Sequence, residues 1–198
     1  MGTREDSAQL DDDQLLLKRI ALRDAAAMET FYKRHASSVY SFSFRRMNDA
    51  ALADEVVNDT LLQAWVSASS FAGQSSPKTW LLGIAKNKIL DALRSKGKLE
   101  ARQQDASDEE THSFADTAPG AYAQLLARQQ GQHLSHCFDE LPAEQRDCMH
   151  LSFVEGLSLA EIAQVMTIPA NTVATRIHHA KRKLRACMEC IFGKGEVL

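Results

Sequence analysis

Residues 141–185 read LPAEQRDCMHLSFVEGLSLAEIAQVMTIPANTVATRIHHAKRKLR. Ser158 and Glu161 have the Ser-x-x-Glu spacing of a capping box, which marks a helix start. Leu157 and Ile162 flank that cap at the two positions of a hydrophobic staple. The helix that follows, LAEIAQVM, spans about two turns, and Thr167-Ile168-Pro169 ends it because proline cannot sit inside a helix. A second helix is expected from Ala170, with Val173, Ile177, Ala180 and Leu184 on one face at helical spacing. Two short helices joined by a tight turn, the second one basic, read as a helix-turn-helix.

With Val173 and Ile177 inward, Asn171, Thr172, Ala174, Thr175, Arg176 and His178 point outward or sideways. Asn and Arg can pair bidentately with adenine and guanine edges in a major groove. His179, Lys181, Arg182, Lys183 and Arg185 follow. Between Glu161 and Glu189 the chain holds five Lys or Arg and no acid, although its net charge is −3. A charge run alone usually marks only a solvated face. On the second helix of a capped helix-turn-helix it points to DNA.

The chain has 198 residues, enough for one large domain or two small ones. Four Pro, nine Gly and near-continuous helical periodicity predict an all-α protein. No apolar run approaches the roughly 18 residues of a membrane span, so no direct membrane insertion is expected. Glu5, Asp6, Asp11, Asp12 and Asp13 against Arg4 do not read as a signal peptide. A cytoplasmic protein is expected, and with it four reduced cysteines.

Charge is segregated along the chain. Residues 48–77 carry Asp49, Asp54, Glu55 and Asp59 with no base. Residues 78–102 carry seven bases against Asp91 and Glu100. Residues 103–120 carry Asp105, Asp108, Glu109, Glu110 and Asp116, again with no base. Such blocks suggest several partners of different sign.

Asp11 to Asp13 lead into a short helix, LLLKRIALR, as acids at its positive end. Asp24 caps the next helix, in which Phe31, Val39, Phe42 and Met47 give an apolar side. Asn48-Asp49 starts a third, with Leu52, Val56, Val57, Leu61, Ala64 and Trp65 as its buried stripe. Asp54, Glu55, Asn58, Asp59 and Gln63 occupy the other side. Paired carboxylates can serve acid–base chemistry or a metal. Here they lie on an open face with no His nearby, which suits contact with a basic protein partner.

Ser69 to Pro77 form a loop of small polar residues with Phe71 exposed in its middle. In the basic helix after it, Trp80, Leu81, Ile84, Ala85 and Ile89 face the core, while Lys86, Asn87, Arg94 and Lys98 lie on other faces. A loop aromatic followed by a basic helix suits single-stranded nucleic acid, where bases stack and cations meet phosphates. An ordinary surface loop and a solvated helix fit the same residues.

Residues 99–120 are polar and acidic and end in Pro-Gly, as expected of a flexible linker. Residues 121–141 then begin a second helical domain. Pro142 breaks that helix, Ala143 to Glu155 form another, and Gly156 ends it. The expected architecture is two small helical domains, 11–98 and 121–190, joined by the linker.

At this point the residues resemble a family. DEVVNDTLLQAW (54–65), FAGQSSPKTWLLGIAKNKILDALR (71–94) and residues 141–185 are similar, in order, to three motifs of bacterial extracytoplasmic-function sigma factors of the minimal two-domain class. These are the polymerase-binding helix, the minus-ten loop and helix, and the minus-thirty-five reader. The resemblance covers about residues 11–186. It implies an alternative sigma factor that joins core RNA polymerase, reads promoter DNA and is commonly held off by an anti-sigma factor.

By that resemblance Asp54, Glu55, Asn58, Asp59 and Gln63 bind a coiled coil of the polymerase. Phe71, Gln74, Ser75, Ser76 and Lys78 hold a base flipped from the non-template strand, at a cost of a few kcal/mol. Lys86 and Asn87 touch the minus-ten region above Trp80. The linker threads into the polymerase. Asn171, Thr172, Thr175, Arg176, His178, His179, Lys181 and Arg182 read the minus-thirty-five duplex. The family often has an acid and an aromatic where Gln74 and Pro77 stand, and a base at Ala174, so the promoter sequence is left open.

A transcription regulator with a sensor domain explains the helix-turn-helix but not the ordered motifs before it. No phosphate loop, zincin motif or nucleophile elbow suggests an enzyme, and no cofactor or metal is expected. Cys187 and Cys190 are spaced C-x-x-C, with Cys137, Cys148, His133 and His150 elsewhere in the same domain, and could join a zinc site. Small cysteines packed between helices are the simpler account.

Overall fold

The computed structural model describes residues 3–100 and 133–192. Every regular element among these is helical. The first half holds α1 (Thr3–Ala21), α2 (Ala25–Met47), α3 (Ala50–Ser67), a 3-10 turn (Ala68–Ser70) and α4 (Pro77–Glu100). The second half holds α5 (133–139), α6 (Ala143–Phe153), α7 (Leu159–Met166) and α8 (Ala170–Phe192). Residues 101–132, with most of the expected linker, lie outside the described set. Its expected first residues, 99 and 100, belong to α4 instead.

Local chemistry sets most helix starts. Asp24 caps α2, its side chain accepting from the backbone N–H of Ala26 and Ala27 at 3.0 and 3.1 Å. Asn48 turns the chain in the left-handed region at φ 50°, and Asp49 then caps α3 by accepting from Leu52 N. Gly156, at φ +71°, ends the turn after α6, and the Leu157 N–H returns to the Leu151 carbonyl at 3.0 Å.

One expectation is corrected in α1. The helix begins well before the acids, so Asp12 and Asp13 lie within it rather than at its positive end. They fasten α1 to α2. Arg34 donates to Asp13 Oδ1 at 2.7 Å and to Asp12 Oδ2 at 2.5 Å, and His35 Nε2 donates to Asp13 Oδ2 at 2.9 Å. Burial alone raises the Asp13 pKa, but these partners outweigh it and hold the carboxyl below its usual value.

Phe31 and Phe42 are at most 2% exposed, and burying each contributes about 2–3 kcal/mol. The expected stripe of α3 is found, with Val56, Val57, Leu61 and Ala64 buried and Leu52 and Trp65 half-buried. The two halves share one apolar cluster that runs from Leu16 to Ala180. Their contact is made where α4 meets α7 and where α2 meets α6.

Candidate nucleic-acid interface

The helix-turn-helix forms as its caps dictate. The Ser158 side chain accepts from Glu161 N, and Glu161 Oε2 accepts from Ser158 N at 3.0 Å. The staple residues Leu157 and Ile162 are both buried. Thr167 makes the turn in the left-handed region at φ 59°. In α8, Val173, Ile177 and Ala180 are buried and Leu184 is half-buried.

Turning inward, those residues leave Asn171, Thr175, His178, Arg182 and Arg185 exposed along one outer face at steps of three and four. Lys181 is also exposed, with its ammonium 4.9 Å from the Phe153 ring centre. Thr172 and His179 lie half-buried on a flank. Arg176 is on that flank too, hydrogen-bonded to Glu144. The Thr175 hydroxyl donates to the Asn171 carbonyl at 2.9 Å.

The loop before α4 is built around Ser76 and Pro77. Ser76 Oγ accepts from Thr79 N at 3.1 Å, an N-cap that lets Pro77 take the first helical position. Gly73, at φ +69°, supplies a backbone turn that other residues resist. Phe71 does not stand free in the loop as the sequence suggested. It is half-buried, its ring 5.4 Å from that of Trp80, because an apolar ring gains by covering its neighbour. Gln74 and Asn87 are exposed, while Ser75, Ser76, Lys78, Trp80 and Lys86 are half-buried.

These two surfaces meet. A groove of about 410 Å³ has Gln74, Ser75 and Asn87 on one wall and Gln164 and Thr167 of the helix-turn-helix on the other. A cavity of about 210 Å³ is lined by Arg46 and Lys86 from the first half and by Glu144, Asp147 and Arg176 from the second.

On α3, Asp54, Glu55, Asn58 and Asp59 are exposed and Gln63 is half-exposed. Asp59 lies 3.9 Å from Lys88, a loose surface pair. Sequence reasoning missed two residues of this face, Leu62 and Val66, which are 61% and 56% exposed. They follow Glu55 and Asn58 at helical spacing, so apolar residues outside the core stripe were the available signal.

The cysteine expectation is overturned in part. Cys137 of α5 and Cys187 of α8 form a disulfide, with Cα atoms 5.8 Å apart, inside the range a bridge requires. Cys187 is therefore taken, and the C-x-x-C pair is not free to hold zinc. Cys148 is a buried thiol whose pKa burial pushes up, and Cys190 is an exposed thiol. Among the described residues no helix is long and apolar enough to cross a membrane.

Family models match both halves. The one described as Sigma-70 region 2 matches residues 31–99, and the one described as Sigma-70, region 4 matches residues 132–184. The ECF RNA polymerase sigma factor SigL of Mycobacterium tuberculosis is 32% identical over 171 residues, covering 85% of this chain and 93% of that protein. SigK of Mycobacterium ulcerans is 30% identical over 183 residues, covering 90% and 95%. CnrH, solved in complex with the cytosolic domain of CnrY, matches with TM-score 0.66 at 22% identity over 91% of this chain and 99% of that one. RpoE of Bartonella quintana, solved with the anti-sigma factor NepR, matches with TM-score 0.67 at 20% identity over 81% and 96%. At those identities the solved structures speak to the fold alone.

Proposed function

The chain belongs to the extracytoplasmic-function sigma factors of bacterial RNA polymerase, and on that premise we propose how its surfaces divide the work of promoter recognition. A protein of this family binds core polymerase and directs initiation at its promoters. The observation that carries the proposal is the order of three surfaces along one chain: an acidic open helix face, a capped loop before a basic helix, and a basic helix-turn-helix.

The face of Asp54, Glu55, Asn58, Asp59 and Gln63 docks on the polymerase, with Leu62 and Val66 adding apolar contact. The loop and α4 act on the minus-ten region through Phe71, Gln74, Ser75, Ser76, Lys78, Lys86 and Asn87, braced by Trp80. The outer face of α8 reads the minus-thirty-five duplex through Asn171, Thr175 and His178, with Thr172, Arg176 and His179 on its flank. Lys181 and Arg182 meet phosphates, which position the helix without specifying sequence. The domains run over 11–98 and 121–190, and the matched regions fall almost wholly inside them.

The protein works in the cytoplasm, where its polymerase is, and makes or breaks no covalent bond itself. An anti-sigma factor restrains it. The Bartonella quintana relative in fold was solved with such a protein, which motivates this step.

Gel filtration of the full chain with purified core polymerase tests the docking face. Wild type should co-elute with core. Asp54→Lys with Asp59→Lys should weaken that association by at least about tenfold, since reversed charges meet a basic partner, with helical content unchanged by circular dichroism. Undiminished core binding by the double variant would overturn the assignment.

A further inference from the structure

We propose that the cavity lined by α2, α4, α6 and α8 is a binding site for a small organic carboxylate with an apolar body, held by Arg46 and Lys86. The site follows from its own residues and does not rest on the sigma-factor assignment.

The cavity has a volume of about 210 Å³. An enclosed apolar cavity of ~150 Å³ admits benzene, so this one takes about eight to ten non-hydrogen atoms. It falls below the ~300 Å³ at which sites for drug-sized molecules begin. Phe42 and Ile89, each 2% exposed, and Met166 give it apolar walls. Those walls suit a compact hydrocarbon or aromatic body.

The charges on the remaining walls are unevenly matched. Arg176 is satisfied by Glu144, which accepts its hydrogen bond. Arg46 is not satisfied in the same way. Its nearest acid, Asp147, places Oδ2 3.5 Å from Nη1, and that buried nitrogen makes no hydrogen bond. A buried charged donor without a hydrogen-bond acceptor is costly. The pairing does not offset the burial of Asp147 either, since burial raises its pKa to about 6 against the pull of Arg46. Lys86, half-buried on α4, has no acid partner among the described residues.

Two cations therefore share the cavity with one poorly placed acid. A carboxylate complements them. Its two oxygens match the planar fork of a guanidinium and can also meet an ammonium. Inorganic phosphate fits less well, because it has no apolar part to cover Phe42, Ile89 and Met166 and would set charged oxygens against them. A neutral or cationic molecule would leave Arg46 and Lys86 unmatched. The ligand would touch both halves of the chain and would occupy Lys86, assigned above to the minus-ten region. Only this last consequence, that initiation responds to a small carboxylate, rests on the sigma-factor reading.

Isothermal titration calorimetry of the full chain with benzoate, a carboxylate of that size, tests the site. Benzoate should bind saturably with a Kd of about 1 mM or tighter. Benzamide, which keeps the ring and loses the charge, should bind about tenfold or more weaker. Lys86→Met should weaken benzoate about fivefold or more, and Asp147→Asn, which removes the competing acid, should tighten it about threefold or more. A gain of affinity cannot come from misfolding. In methyl NMR spectra benzoate should shift the Met166 signal. No saturable binding up to about 10 mM would overturn the site. So would equal binding of benzamide or inorganic phosphate, an unmoved Met166 methyl, or affinities unchanged in both variants. Calorimetry does not depend on transcription, so any of these results would leave the sigma-factor reading standing, and a failure to bind core polymerase would leave the site standing.

Discussion

Arg46 Nη1 of α2 lies 3.5 Å from Asp147 Oδ2 of α6, yet that buried nitrogen makes no hydrogen bond. The pair spans the two halves at the edge of the cavity that also holds Lys86 and Arg176. Burial raises the Asp147 pKa to about 6, against the pull of Arg46, Arg146 and His150, and Glu144 adds to the rise.

That shift gives a pH prediction. Between about pH 4 and 6 the folded chain binds more protons at Asp147 than the unfolded chain, so this residue makes stability fall as pH rises through that window. Asp147→Asn removes the effect. Relative to wild type it should gain about 1–3 kcal/mol on going from pH 4 to pH 7. Urea unfolding at both ends measures this, and a difference that does not change with pH contradicts it.

The Cys137–Cys187 bridge closes a 50-residue separation around the helix-turn-helix. A loop of that length supports about 2–4 kcal/mol of stabilisation. Cys137→Ser, or reductant on the wild type, should lower the thermal midpoint of residues 133–192 as followed by hydrogen exchange. An equal midpoint with and without the bridge would show that helix packing alone holds α5 on α8.

Phe71 braces Trp80 as well as lining the loop, so two substitutions separate its roles. Phe71→Leu keeps an apolar contact but removes the stacking surface, and should preserve stability to within about 1 kcal/mol. It should still impair promoter opening more than closed-complex formation, as read by permanganate attack on promoter thymines. Equal loss at both steps would make the ring a packing residue only.

On α8, Arg182 shares the exposed face of Asn171, Thr175 and His178, whereas Arg176 sits on the flank with Glu144. In holoenzyme, Arg176→Ala should cost about 1–3 kcal/mol and relax selectivity at one or two positions. Arg182→Ala should weaken all sequences alike and lower the salt slope by about one. Single-base variants of the minus-thirty-five element decide it. A uniform response to Arg176→Ala would remove Arg176 from base reading and leave it to Asn171, Thr175 and His178.

Much of the fold was legible because its determinants are local. The Ser158–Glu161 box, the Asp24 and Asp49 caps and the Ala170 start each depend on residues within a turn of one another. What stayed hidden is non-local. Nothing in the sequence near Glu161 shows that its second oxygen meets Ser76 and Thr79, some eighty positions away. Lys78 and Glu155 are hidden from each other in the same way, as are Cys137 and Cys187. Phe71 was read as exposed because its neighbours are small and polar, whereas the apolar surface it covers belongs to the following helix.

Transcription of fragmented genomic DNA from the source organism by purified core polymerase, with and without this chain, tests the central claim most directly. Sequencing the 5′ ends should reveal starts that require the chain and share two upstream elements at constant spacing. Those starts should disappear with Asp54→Lys and Asp59→Lys. A set of starts identical to that of core polymerase alone would contradict the assignment of this chain as a sigma factor.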